Sequence, residues 1–204
     1  MRKWLVLLSY AGAAFINGSS WAVLITIPDQ AMSYYNIGQA EMTLYSYIYS
    51  VLGIPLAPFT AWLISKSYFT TIHTVWVFSL IGSWVRFFAF RHFWISFIGQ
   101  SLIGVVNLLI FSSCTTMTVL WFPPSLMVLV ISLSTAANFI GMGFIWVYMP
   151  NFPNISQMML IQACFCSFFW ILNLLVMKKD KKKIDVLSFR DSIHMLLKIK
   201  LLLY

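Results

Sequence analysis

Asn17 and Trp21 stand four residues apart inside an apolar stretch, a spacing that projects both from one face of a helix. An indole in an apolar interior offers a cation its π-face, and an amide orients what lands beside it. A second stripe joins Gln100, Gly104, Asn107 and Phe111, and a third joins Ser134, Asn138 and Gly141. Polar groups in a bilayer are costly and turn toward the protein interior or a water-filled path. The three stripes therefore read as the lining of a solute path. Helix–helix packing explains the same residue types, and Ala137-x-x-x-Gly141 is such a contact pattern. Packing is the better reading for Gly104, Ala137 and Gly141; for Gln100 and Asn138 the two readings stand level, and Trp21 with Asn17 points to solute contact.

No enzyme chemistry accompanies these residues. The sequence holds no paired carboxylates, no nucleophile elbow, no phosphate-cradling glycine loop and no spaced metal set, so neither catalysis nor a cofactor is expected. None of its five acidic residues lies deep in an apolar stretch, which weakens a proton-coupled mechanism. His73, His92 and His194 fall in loops or at an interface without visible partners. Cys114, Cys164 and Cys166 read as small hydrophobes. Tyr45, Tyr47 and Tyr49 cannot all share one helical face and read as interface or packing aromatics. Arg86, near a segment end, is expected to snorkel to the headgroups.

The elements that must position the stripes follow from composition. Of 204 residues, 61% are hydrophobic and 9% charged, too few charges for a water-facing surface. A spanning helix needs about 20 mostly apolar residues. Six segments qualify: Trp4–Ile27, Thr43–Ile64, Ile72–Ala89, Trp94–Leu120, Leu126–Tyr148 and Gln157–Met177. "PDQAMSYYNIGQAE", "WFPPS" and "PNFPNIS" separate them as loops, and short loops join antiparallel neighbours. The first segment has a rival reading as a signal peptide, because Arg2, Lys3, an apolar run and "AGAA" imitate one. The apolar character resumes after "NGSS", long enough to span.

Six spans put both termini on one side. That side carries Arg2, Lys3, Lys66 and the basic residues of the tail, eleven in all, against Arg86 and Arg91 opposite. The positive-inside bias makes both termini cytoplasmic. "KKDKKK", from Lys178 to Lys183, is a membrane-exit cluster rather than a nucleic-acid patch, since no stacking aromatics accompany it. Asn154-Ile155-Ser156 is then a sequon in a short outer loop, while Asn17-Gly18-Ser19 lies within a span, out of reach.

"RKWLVLLSYAGAAFINGSSW", "IPLAPFTAWL", "GSWVRFF", "FIGQSLIGVVNLLIF", "VLWFPP" and "AANFIG", in that order, resemble the N-terminal half of major facilitator superfamily transporters. Within them the chain looks most like the feline leukaemia virus subgroup C receptor-related group, which moves choline, ethanolamine and, by some accounts, haem. The resemblance implies that Trp21 and Asn107 fall on the tryptophan and glutamine of that group's quaternary-ammonium pocket, Asn107 being the shorter amide. Gln100 falls on the glutamine that opens the fourth helix, and Asn138 on the fifth-helix asparagine. Where the superfamily carries an acid between its second and third helices, this chain has Ser65 in "ISKSYFTTIH", which implies a diverged gate or a relaxed constraint on transport.

The expected fold is an all-α membrane protein: a six-helix bundle over residues 1–177, then a basic cytoplasmic linker over 178–204. Arg190 to Lys200 would form an amphipathic helix capped by Ser188, and "LLKIKLLLY" would approach a seventh span. The expected function is transport of a small organic cation or amine by alternating access, with Asn17, Trp21, Gln100, Asn107 and Asn138 holding the solute. The alternatives are a non-transporting interaction subunit and a fragment of a longer chain. A lone six-helix unit would leave its polar lining facing lipid, so the expected partner is a second transporter half or another copy, as a homodimer.

Overall fold

The computed structural model describes residues 2–151 and 154–177, all of them helix, turn or short connection. In chain order the helices are α1 (Arg2–Ala22), α2 (Pro28–Tyr35), α3 (Gln39–Lys66), α4 (Tyr68–Phe88), α5 (Phe93–Trp121), α6 (Met127–Tyr148) and α7 (Ile155–Val176). The six long helices fall on the six expected segments. Among the described residues, four stretches are long and apolar enough to cross a membrane: α3, α5, α7, and Pro124–Asn151, which contains α6. With Ile54, Val128 and Leu175 between 74% and 80% exposed, the outer surface suits lipid rather than water. The molecule is an integral membrane helical protein. The expected linker and seventh span lie outside the described residues.

Two local differences have clear causes. The first segment stops being helical at Ala22, and its apolar continuation, Val23 and Leu24, turns into the core with no exposure. The expected loop "PDQAMSYY" is instead a helix: Pro28 sits at its first position, where its missing N–H costs nothing. Asn36 then ends α2 with φ 53°, a left-handed conformation asparagine tolerates. At the start of α3 the Glu41 carboxylate accepts from the Gly38 N–H at 3.1 Å.

α1 is the central helix. Thirteen of its 21 residues are buried, against five of 28 in α3, so α1 is the inner strut and α3 an outer wall. Side-chain amides of α7 bond serines of α1: Gln162 Nε2 donates to Ser19 Oγ and Asn173 Nδ2 to Ser9 Oγ, both at 3.0 Å. Arg2 Nε donates to the Val176 carbonyl at 3.4 Å, which sets the start of α1 beside the end of α7.

Glycines let the helices meet backbone to backbone. Gly18 lies against the Asn138 carbonyl and Gly141 against the Phe15 carbonyl, a reciprocal contact that locks α1 to α6. Gly82 and Gly99 do the same for α4 and α5, where an added Cβ would stand 2.6–2.7 Å from the facing carbonyl oxygen. Close approach through small residues is how helices pack where no hydrophobic force draws them together.

Candidate functional site

The glycine contact between α1 and α6 fixes the first part of the site. It sets Asn138, 4% exposed, where its Nδ2 donates to the Ala14 carbonyl at 3.0 Å and to Asn17 Oδ1 at 3.4 Å. Asn17, 1% exposed, is thereby held by its acceptor, while its own Nδ2 is buried and unpartnered. A spare amide donor is thus presented one turn below Trp21.

These residues wall a cavity of about 290 Å³ between α1, α3, α5 and α6. Its lining includes Asn17, Trp21, Tyr49, Asn107, Asn138 and Phe139. Four of the five residues singled out in the sequence therefore converge on one space. A smaller cavity of about 100 Å³ continues along α1 toward Tyr10 and Thr115, sharing Phe111 and Asn138 with the first. Together they trace a line of space past the middle of the bundle. Four aromatic rings, two primary amides in contact and a third amide from α5 can stack on and hydrogen-bond a small polar solute.

Gln100 does not line that cavity. It is fully buried on α5, and its Nε2 donates to the Ser20 carbonyl at 3.4 Å. Arg86 reaches the same carbonyl through Nη1 at 3.3 Å. The snorkelling expected of Arg86 does not occur: the side chain is 1% exposed and enters the bundle, its stem lying against Gly99. Ser65 closes the last turn of α3, donating to the Trp62 carbonyl at 2.8 Å, and only Ser67 separates α3 from α4.

The sequence reading missed Tyr49. Tyr45 and Tyr49 are four residues apart and both buried, while Tyr47 is 62% exposed, so the helical face was encoded in the triplet. Phe139 and Met142 were missed because an apolar residue in an apolar helix carries no signal of its own.

Replacing Asn138 with leucine is expected to destabilise the chain by about 1–3 kcal/mol, because Asn17 Oδ1 is left buried without a donor. Thermal unfolding of the detergent-solubilised protein checks this; an unchanged midpoint would mean that the amide pair contributes nothing.

The fold and this space define a polytopic helical membrane protein with a cavity lined by amides and aromatic rings. No protein-family model matches the chain. It is distantly similar to an uncharacterized MFS-type transporter of Caenorhabditis elegans, 21% identical over 152 residues. The aligned region is 73% of this chain and 26% of the nematode protein, so the chain spans about a quarter of that relative.

Proposed function

We propose that the chain forms a six-span unit of a transporter that moves a small organic cation or amine by alternating access. The observation that carries this reading is the cavity that Trp21 lines together with Asn17, Asn107 and Asn138. The indole supplies the π-face for an ammonium group, and the amides supply the hydrogen bonds that orient the rest of the solute. The distant similarity to an MFS-type transporter supports the same class. In such machines solute binds near the midplane between two repeats that rock against each other.

The rim of the cavity favours a second unit. Phe111 and Phe139 are 43% and 60% exposed although both line it, so one side of the space is open at the surface of the bundle. A second six-helix unit, supplied by a longer chain or by another copy, closes that side. The charge distribution in the sequence supports cytoplasmic termini.

Uptake of radiolabelled choline and ethanolamine tests the proposal, in cells expressing the chain alone and together with the complementary half of a full-length transporter. Saturable uptake above the empty vector is expected in at least one arrangement. Uptake equal to the vector in both would overturn it.

A further inference from the structure

Arg86 is the one charged side chain with less than 2% exposure among the described residues, and its own contacts leave it half satisfied. Nη1 donates to the Ser20 carbonyl, while Nε and Nη2 have no partner. Those two N–H groups form the side edge of the guanidinium fork, the edge that grips an anion through two parallel bonds. No carboxylate described in the chain serves it: Glu41 is held by the Gly38 N–H, and Asp29 lines an outer cleft with Arg91. An ionisable residue inside a membrane protein marks a functional site unless it finds a partner.

The surroundings are rich in unused donors. Ser20 Oγ and Tyr49 Oη are buried and unpartnered, and Tyr49 packs on Gly104, one turn along α5 from the Gln100 that shares the Ser20 carbonyl with Arg86. Three helices thus bring a cation and two hydroxyls to one spot: Ser20 from α1, Tyr49 from α3 and Arg86 from α4. Gly99 on α5 admits the Arg86 stem, which a Cβ at that position would meet at 2.7 Å. Tyr49 also lines the Trp21 cavity, so the spot adjoins the solute path.

We propose that Arg86, with the hydroxyls of Ser20 and Tyr49, is an anion site next to the solute cavity. The anion accepts from Arg86 Nε–H and Nη2–H and from the two hydroxyls. It comes either from solution, as a halide, or from the solute, as the carboxylate of a zwitterion whose ammonium end lies on Trp21. Only the second source rests on the transport reading.

The test is thermal unfolding of the full chain in detergent, followed by tryptophan fluorescence at constant ionic strength. Sodium chloride is titrated against sodium gluconate, and glycine betaine against choline in chloride-free buffer. A saturable rise in the midpoint with chloride assigns the free anion, and one with betaine but not choline assigns the solute carboxylate. Arg86→Gln is expected to remove the response, and Lys66→Gln, at an exposed helix end, to keep it. Should Arg86→Gln fail to fold, Ser20→Ala and Tyr49→Phe are each expected to raise the half-saturating concentration about tenfold. The chloride response is expected to persist in Trp21→Ala, which separates this site from the solute reading. No response to chloride or betaine in the wild type, or a response unchanged in all the site variants, would overturn the proposal.

Discussion

Gly141→Leu is expected to abolish recovery of a folded, monodisperse protein. A Cβ at position 141 falls on the Phe15 carbonyl, with its carbon at 3.0 Å and Cα at 3.1 Å, so the obstruction is helix backbone and cannot rotate away. The reciprocal contact of Gly18 with Asn138 allows no compensating slide, because moving α6 away from Phe15 also opens the Asn138 bonds to α1. Overpacking of this kind costs about 1–3 kcal/mol even where side chains can give way. Against a typical stability of about 5–15 kcal/mol, a leucine driven into backbone removes a large share. Gly143 provides the control: it lies two residues further along α6 with nothing within 4 Å, so Gly143→Leu is expected to behave as wild type. Fluorescence-detected size exclusion compares the two, and equal monodisperse peaks would sink the argument.

Trp21→Ala carries the largest expected effect on solute binding. A desolvated cation–π contact is worth about 2 kcal/mol, which corresponds to roughly 30-fold in affinity for a quaternary ammonium. Trp21→Phe keeps an aromatic face and is expected to lose less. Lost shape and lost charge recognition are separated by the neutral isostere 3,3-dimethylbutanol, which resembles choline in size but has no charge. The wild type is expected to prefer choline, and Trp21→Ala to lose that preference. An unchanged ratio between the two ligands would remove the indole from the recognition of charge.

The sequence made the long helices readable because a 20-residue apolar stretch has few other uses, and three of the breaks between them carry proline. It also made the cavity's polar half readable: Asn17, Asn107 and Asn138 stand out against apolar neighbours, and the four-residue step to Trp21 ties the indole to them. Arg86 was misread because position along the segment was weighed above face. Ser79, Gly82, Ser83 and Arg86 share one helical face and are all buried, so the run of small residues already pointed that face inward. Gln100 belonged to that same layer, two helical turns from Asn107, and only the packing of α4 on α5 distinguishes the two levels. Helix α2 escaped notice because its eight residues include proline, aspartate and serine, all common in turns.

The position of α1 at the centre has a consequence for biosynthesis. Ser19 and Ser9 find their hydrogen-bond partners 143 and 164 residues later, on the last described helix. At typical synthesis speeds of about 5–20 residues per second, the 143-residue interval lasts roughly 7–30 s. During that time Ser9 and Ser19 lack their α7 partners, and the Ser19 hydroxyl is served only by the Ile16 carbonyl of its own helix, at 3.0 Å.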